Sequence, residues 1–335
     1  MAKCKLAVDL DGAVTNIYMA GSGLVLSEPT VATVSAGENA EIKAFGEEAK
    51  KMIGKTAKNS RIVFPVFEGE IVNEKVAAGV LGGFLDKIEA GRGIFGAQAI
   101  FALPCGFTRE MLDKYVKVAK LCGISKTYFA ESPILSALGQ RIPLSDSTPC
   151  FIIDMAGGVT NVAAVSLDGV IAGVSVNYGL NGICSDVIDY IAETFGLQTG
   201  LLTAERIIKE IGSLDPDDGL KTVVNGRDTS TGTPRALSLK AVDIIKPVKR
   251  YYDKIAEIAK TVLKKLLPEV SAEVRRSGLF VAGIGSEIYG LKNYYSEKFG
   301  IPVKIAENGR YAVAIGGGVA MGSAELLKKI TVKNV

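Results

Sequence analysis

Two short segments of this 335-residue chain carry the residue types that phosphate chemistry needs. In each, an aspartate ends an apolar run and a glycine-containing turn follows, first at Asp9 and again at Asp154. Backbone N–H groups of such a turn can face phosphate oxygens, and the aspartate can hold Mg²⁺ directly or through water. If the turns Gly12–Ala13 and Gly157–Gly158 lie face to face across a cleft, they would clamp a polyphosphate from two sides. Either turn alone has a second interpretation, a tight hairpin whose aspartate caps backbone amides.

The two segments are copies of each other. DLDGAVTNI (9–17) and DMAGGVTNV (154–162) share the aspartate, one glycine, the valine, the threonine and the asparagine. A repeat separated by this much chain is no solenoid unit and predicts two similar domains, each opening with strand, turn and strand. Chance similarity between short apolar strands is the alternative.

A third glycine cluster, Ala282-Gly283-Ile284-Gly285, follows the predicted strand Leu279–Val281. A glycine turn between a strand and a helix is typical of nucleotide sites, although the glycines could equally mark close strand–helix packing. The acidic residue expected downstream in a dinucleotide fingerprint is not evident, and the sequence contains no GxxxxGK[ST] motif. The chain is therefore not a P-loop NTPase.

Strand and helix patterns alternate along the chain, which predicts a mostly parallel, covered sheet and an α/β fold. Two predicted hairpins, Leu6–Leu26 and Phe151–Val176, interrupt that alternation. The predicted strands include Lys5–Leu10, Ile100–Leu103, Phe151–Asp154 and Leu279–Ala282. The predicted helices include Arg109–Leu121, Thr203–Ile211 and Val242–Leu267. The turn-rich stretch from Asp215 to Pro234 predicts a peripheral excursion between the last two helices.

The composition of the chain argues against several classes of function. The net charge of +3 arises from 39 basic and 36 acidic residues spread along the chain, which argues against nucleic-acid binding. Five widely spaced cysteines are typical of buried thiols in a reducing cytosol rather than of a disulfide framework. The sequence has no histidine, so any chemistry depends on carboxylates, hydroxyls, amines or a bound cation. It also lacks a signal peptide and an apolar run long enough to span a bilayer, which predicts a soluble protein.

These motifs resemble those of the MreB/Mbl family of bacterial actins. AVDLDGAVTNIYMAGSGLVLSEPTV is similar to the family's first phosphate motif, IIDMAGGVTNVAAVSLDG to its second and FVAGIGSEIYGL to its adenosine motif, and intervening segments extend the likeness from about Lys5 to Leu327. The resemblance implies the actin-like ATPase fold, with two similar lobes, each a mixed sheet flanked by helices, and a nucleotide cleft between them. It also implies ATP or ADP with Mg²⁺ held by Asp9 and Asp154, with Asp154 also serving hydrolysis.

The resemblance further implies four subdomains. Subdomain IA would comprise 1–31, 77–145 and 316–335, and subdomain IB would be the insertion 32–76. Subdomain IIA would comprise 146–180 and 243–315, with 181–242 as subdomain IIB.

The first motif departs from the family's usual DLGTANT. Asp11 replaces a glycine, Gly12 a threonine and Val14 an asparagine, while Ala13 is retained. Asp11 places a second carboxylate where phosphates are expected, and at about 4 Å a like charge costs roughly 1 to 4 kcal/mol unless a cation intervenes. Asp11 therefore either recruits additional Mg²⁺ or weakens triphosphate binding.

The other nucleotide motifs also depart from the family pattern. In the second phosphate motif Val159 replaces a threonine, whereas the pair Gly157–Gly158 is retained. In the adenosine motif Ile284 replaces a glycine between Gly283 and Gly285, and its β-branched side chain would crowd a base or ribose. The segment TAERIIKE keeps the family's nucleotide-contacting Glu205 and Arg206 but has Ile208 where lysine is usual.

The water-orienting glutamate of the family, the second of EEP, falls on Ser132, which leaves Glu131 one residue early. Because a hydroxyl is no general base at neutral pH, this departure predicts impaired hydrolysis, with Glu131 as the expected replacement.

The loop GRGIFG (91–96) places Ile94 and Phe95 between glycines and beside a cation. By resemblance these two side chains insert into the inner face of the cell membrane, and tucking under the lobe is the alternative. Filaments require head-to-tail contacts between copies, for which the turn-rich stretches Lys51–Ser60 and Asp215–Arg235 are candidates.

Three functions remain open. The first is a cytoplasmic, membrane-associated cytoskeletal filament that assembles with ATP, hydrolyses it slowly, acts in cell shape and meets envelope-synthesis proteins. The second is a pseudo-ATPase filament or scaffold with weakened nucleotide binding or hydrolysis. The third, a metabolite kinase of the same superfamily, is disfavoured because no acceptor pocket is recognisable.

Overall fold

The computed structural model describes residues 4–37, 40–56, 59–90, 96–144, 148–167, 169–215 and 219–332. Elements are numbered in chain order. The strands up to residue 144 are β1 (Cys4–Leu10), β2 (Val14–Met19), β3 (Gly23–Pro29), β4 (Ala32–Ser35), β5 (Ile42–Phe45), β6 (Ser60–Val63), β7 (Val66–Phe67), β8 (Glu70–Ile71), β9 (Ala97–Leu103) and β10 (Lys126–Glu131). The helices of this part are α1 (Glu47–Lys51), α2 (Glu74–Lys87), α3 (Arg109–Leu121) and α4 (Ser132–Gly139).

The remaining elements begin after residue 148. The strands are β11 (Cys150–Met155), β12 (Thr160–Ser166), β13 (Gly169–Val176), β14 (Leu197–Gln198), β15 (Lys221–Asp228), β16 (Pro234–Lys240), β17 (Leu279–Ala282) and β18 (Val303–Ile305). The helices are α5 (Leu180–Phe195), α6 (Leu201–Ile211), α7 (Ala241–Lys264), α8 (Pro268–Ser277), α9 (Leu291–Phe299), α10 (Ala312–Met321) and α11 (Ala324–Ile330). Two short 3₁₀ helices cover Ile284–Glu287 and Gly309–Tyr311.

Two five-stranded sheets share one topology. The first has the order β10-β9-β1-β2-β3 and the second the order β18-β17-β11-β12-β13. In each, an antiparallel meander of three consecutive strands is extended on one side by two parallel strands. The prediction of two similar domains, each opening with a hairpin, is therefore confirmed.

The repeated motif fixes the register of both hairpins. Asp9 lies directly opposite Asn16 across β1 and β2, and Asp154 lies directly opposite Asn161 across β11 and β12. Because side chains of opposed residues project from the same face of a sheet, each aspartate has an asparagine beside it.

Polar caps and prolines set several helix ends. Asn73 and Thr108 each accept a hydrogen bond from a backbone N–H of the first turn of α2 and α3. Helix α7 ends at Lys264, three residues before the predicted Leu267, because Pro268 opens α8 and the residue before a proline disfavours the α conformation. The predicted excursion after α6 contains the hairpin β15–β16, which pairs with β14 in a small sheet.

Three apolar clusters form the core. One fills each lobe, and the third lies between the lobes, where Ala7 and Ile100 of the first sheet meet Ile152 and Val165 of the second. Helices α4 and α10 cross within this third cluster so closely that a Cβ atom built on Gly139 would lie 1.8 Å from the Ala312 carbonyl oxygen. The absence of a side chain at this glycine therefore sets the distance between the helices that link the two lobes.

All five cysteines are free thiols; Cys105, Cys150 and Cys184 are buried as predicted, whereas Cys4 and Cys122 are only partly buried. Among the helices of the described ranges, none is both long enough and apolar enough to cross a bilayer.

Candidate functional site

The structure places the two glycine turns face to face. A Cβ atom built on Gly158 would lie 3.6 Å from the Gly12 Cα, and one built on Gly157 would lie 2.0 Å from the Ala13 Cβ. Glycine is required at position 157, because any side chain would overlap the opposing turn. The two turns thus touch across the boundary between the lobes.

A cleft adjoins these turns. It receives residues from both hairpins, from the start of α4 and from the loop after β17. The predicted site residues that line it are Asp9, Asp11, Ala13, Val14, Ser132, Asp154, Gly157, Val159, Gly283 and Ile284. The cleft therefore gathers residues of both lobes around the two aspartates.

Each lobe contributes an aspartate–asparagine pair to the cleft. The Asn16 Nδ2 donates to Asp9 at 3.2 Å, and the Asn161 Nδ2 donates to Asp154 at 3.4 Å. The Asn161 Oδ1 accepts the backbone N–H of Cys105 in the first lobe at 2.9 Å. Within the described ranges the Asn16 Oδ1 has no hydrogen-bond partner, although Asn16 is only 5 % exposed. An acceptor left unpaired at this depth is costly unless a bound group donates to it.

Asp11 bridges the lobes. Its Oδ2 accepts the Gly157 N–H at 2.8 Å and the Ala13 N–H at 3.2 Å, and its Oδ1 accepts the Gly158 N–H at 3.2 Å. The carboxylate therefore occupies successive amides of the second turn, which the sequence predicted to face phosphate. Hydrogen bonds from amides to a charged carboxylate are stronger than those between neutral groups.

Three carboxylates share this cleft and disfavour one another's charge. Burial, and then the nearby Asp11 and Asp154, raise the pKa of Asp9 well above its usual value. Burial is also the main reason that the pKa of Asp154 is raised to about 7, and Asp11 adds to that shift. Burial raises the pKa of Asp11 as well, despite the amides that stabilise its charged form. A cation in the cleft would relieve this repulsion.

Ser132 and Glu131 point in different directions. Ser132 lies in the cleft wall, where its Oγ donates to the Leu103 carbonyl oxygen at 3.0 Å. The carboxylate of Glu131 accepts the Gly106 N–H at 2.8 Å and lies beside the Cys105 thiol, and Glu131 is not among the described residues that line the cleft. Successive residues at the end of a strand face opposite sides, so one position decides which side chain enters the cleft.

The third glycine cluster closes one side of the cleft. Gly283 has a φ of +83°, and a Cβ atom there would lie 2.3 Å from the Met155 carbonyl oxygen, so glycine is required. Ala282 ends β17 beside Asp154 in register, and the Gly285 carbonyl oxygen accepts the Tyr252 hydroxyl at 2.7 Å. Ile284 projects into the cleft wall between them.

The three residues of α6 that were predicted to contact the nucleotide lie in different surroundings. Glu205 forms an ion pair with Lys50 of α1 at 2.6 Å, and both line a second cavity that also includes Gly12 and Ala13. Arg206 instead binds Glu210 and the Val223 carbonyl oxygen on the outer surface, and Ile208 is buried in the core of the second lobe. The structure thus brings only Glu205 of this group toward the turns.

The sequence analysis did not predict Asn16 and Tyr311, which line the cleft, or Lys50, which lines the second cavity. The asparagine had a signal, since it is one of the five positions shared by the repeat. Lys50 and Tyr311 had none, because nothing in their local sequence indicates which element of the other lobe they meet.

Two lobes of one topology, joined by crossing helices and enclosing a cleft between aspartate-bearing hairpins, define a protein of the actin-like class. The structure of Spiroplasma citri MreB5 bound to ADP superposes with a TM-score of 0.90 at 26% identity, covering 98% of each chain, and the same protein was solved with AMPPNP.

Sequence comparison assigns the family. A model of the MreB/Mbl protein family matches residues 3–329, so this chain belongs to the MreB/Mbl family. The cell shape-determining protein MreB of Escherichia coli K12 is 31% identical over 94% of this chain and 92% of its own length. The cell shape-determining protein Mbl of Bacillus subtilis 168 is 27% identical, and the match covers 97% of both chains.

Proposed function

We propose that this protein is a cell shape-determining actin of the MreB type, which assembles head to tail into filaments and binds a nucleotide between its lobes. The observation that carries the proposal is the cleft itself, where Asp9 and Asp154 stand in opposed hairpins of a chain that belongs to the family. The relatives from Escherichia coli and Bacillus subtilis are cell shape-determining proteins, and MreB5 of Spiroplasma citri was solved with ADP and with AMPPNP. We also retain the division into four subdomains, with the boundaries given above, as part of the proposal.

The cleft fits a hydrated Mg²⁺ bound together with a nucleotide. Asp9 and Asp154 supply two carboxylates, and Asn16 supplies an oxygen that has no partner among the described residues. This set suits a cation that keeps several waters and takes its remaining ligands from phosphates. No group of three acidic or cysteine side chains in the described ranges is arranged to hold a metal ion. When bound, Mg²⁺ would offset the charge of the phosphates.

Hydrolysis in this cleft is proposed to be slower than in relatives that retain the glutamate. Ser132 occupies the cleft wall, and Glu131 is engaged by Gly106 on the other side. Neither arrangement offers a carboxylate to orient water at that position. This observation favours, as the second candidate, a structural filament of the same fold with little ATPase activity.

The proposed location is cytoplasmic, at the inner face of the cell membrane, in contact with envelope-synthesis proteins. The predicted membrane residues Ile94 and Phe95 lie outside the described residues. Two such side chains would add only a few kcal/mol of membrane affinity, so filament avidity must multiply it.

Sedimentation tests the filament proposal. Purified protein is pelleted without nucleotide, with ATP and Mg²⁺ and with ADP, and pellets are inspected by electron microscopy. Filaments that require ATP, together with phosphate release that Asp154→Ala abolishes and Asp113→Ala on exposed α3 does not, would support the ATPase. Nucleotide-independent filaments without phosphate release would support the second candidate, and soluble protein in every arm would contradict both.

Vesicle flotation tests the membrane proposal. Filaments should float with anionic vesicles, and Ile94→Ser with Phe95→Ser should abolish flotation. Leu121→Ser removes a leucine that is 61 % exposed on α3 and serves as the control. Equal flotation of all three proteins would contradict the assignment of the loop.

A further inference from the structure

The phosphate-binding amides of the second turn already hold an anion that belongs to the chain. We propose that the Asp11 carboxylate is a built-in substitute for phosphate and sets the ligand specificity of the cleft, so that a nucleoside binds without displacing this carboxylate and a polyphosphate must first displace it. The inference rests on the proposed function, because it assumes that this cleft is the nucleotide site.

The hydrogen-bond geometry is that of a bound oxyanion. Asp11 lies 146 positions before Gly157 in the sequence. Its two carboxylate oxygens accept the successive N–H groups of Gly157 and Gly158, at 2.8 and 3.2 Å. A third N–H, from Ala13, holds the same carboxylate from its own turn. Consecutive backbone N–H groups on a glycine turn form a nest for anions, and here the nest is filled from the opposite lobe.

The packing around Asp11 leaves no room for a second anion at these amides. The two turns are in van der Waals contact, and an added Cβ at Gly157 would lie 2.7 Å from the Asp11 Oδ2. A phosphate could reach the Gly157 and Gly158 amides only if Asp11 rotated away or the lobes parted. Lys50 and Glu205 oppose parting, because their ion pair joins the first lobe to α6.

The negative charge of the cleft also disfavours polyphosphate binding. A polyphosphate placed beside Asp11 would also face Asp9 and Asp154, which line the same cleft. Unless a cation enters with it, the ligand adds negative charge to three carboxylates in a partly desolvated space. A nucleoside carries no such charge, and the cleft wall also includes the apolar side chains of Ile284 and Val313 and the ring of Tyr311.

Binding measurements on Asp11 variants test the proposal. Adenosine, ADP and ATP are titrated with Mg²⁺ into the wild type, Asp11→Gly, Asp11→Asn and the control Asp113→Asn, whose side chain is 57% exposed on α3. We expect Asp11→Gly to bind ATP at least tenfold more tightly than the wild type, with adenosine affinity unchanged within about twofold. Asp11→Asn, which keeps the shape and loses the charge, should lie between them, and the control should match the wild type.

Hydrogen exchange provides a readout that needs no ligand. In the ligand-free wild type the peptide spanning 155–160 should exchange slowly, and Asp11→Gly should increase its exchange at least tenfold while peptides from α3 stay unchanged. Unchanged exchange in that peptide, or ATP affinity equal in the wild type and Asp11→Gly, would overturn the proposal. Filament pelleting of the same samples distinguishes a failure of the proposed function from a failure of the Asp11 proposal. Absent filaments would contradict the proposed function, whereas the exchange result would still test the role of Asp11.

Discussion

Replacing Gly316 by alanine should force apart the two helices that link the lobes. A Cβ atom built on Gly316 in α10 would lie 1.8 Å from the Leu135 carbonyl oxygen of α4 and 2.8 Å from the Gly139 nitrogen. Both contacts are to backbone, which cannot rotate away as a side chain could. The helices would have to separate until the first distance exceeded 3.0 Å, the limit that real Cβ atoms respect.

The magnitude follows from packing. Overpacking of a core typically costs about 1 to 3 kcal/mol, and more where backbone must move. Separation of α4 from α10 also loosens the interlobe cluster around Ile134, Leu135 and Val313. Alanine regains about 1 kcal/mol of helix propensity, so at the upper end of that range a net loss of about 2 kcal/mol is expected. At about 2.1 cal/mol/K of unfolding entropy per residue, a 335-residue protein would then melt about 3 °C lower.

Differential scanning calorimetry with a matched substitution measures this effect. Gly82 lies inside α2 with no heavy atom within 4 Å of a built Cβ, so Gly82→Ala should raise the melting temperature by about 1 °C. A Gly316→Ala protein as stable as Gly82→Ala would refute the reasoning, because the two sites differ chiefly in the space that the backbone leaves. Gly139→Ala, which meets the Ala312 carbonyl oxygen from the other helix, should reproduce the loss.

Three further predictions concern the cleft. Lys50→Ala and Glu205→Ala should each lower the free energy of unfolding. In a double-mutant cycle their coupling energy should be about 1 kcal/mol or less, because the ion pair is partly exposed. Fully additive effects would show that the ion pair does not form in solution. Asp154 has a folded pKa of about 7, above its unfolded value, so its contribution to stability is greatest at low pH and is lost as pH rises from about 4 to 7. The melting temperature of Asp154→Asn relative to the wild type should therefore rise between pH 5 and pH 8 in EDTA, and a flat difference would contradict the raised pKa. Ser132→Glu places a carboxylate in the cleft wall and should increase phosphate release if water orientation is what limits hydrolysis, whereas unchanged release would locate the limit elsewhere.

The spacing of residues within the repeat was enough to predict much of the fold. Asp9, Gly12 and Asn16 recur with the same separations in the second lobe, and a strand–turn–strand reading of either copy puts its aspartate and asparagine opposite each other. Alternation within a strand and glycine in a turn are local properties, so sequence could predict both hairpins and the two-domain arrangement.

The state of the cleft could not be predicted in that way. Sequence reasoning left open whether Asp11 recruits a cation or weakens triphosphate binding, and the structure shows its carboxylate on the amides of Gly157 and Gly158. That contact depends on how closely the lobes approach, which the interlobe glycines determine and no local pattern records.

The sequence by itself determined the class of the chain, its two matched hairpins and the carboxylates available for chemistry. Only the tertiary structure decided that Ser132 rather than Glu131 faces the cleft, that Lys50 meets Glu205, and that the phosphate-binding amides bind an internal carboxylate. The physical reason is that periodicity and turn chemistry act within a few residues, whereas these contacts join elements distant in sequence and exist only once both lobes have folded and packed.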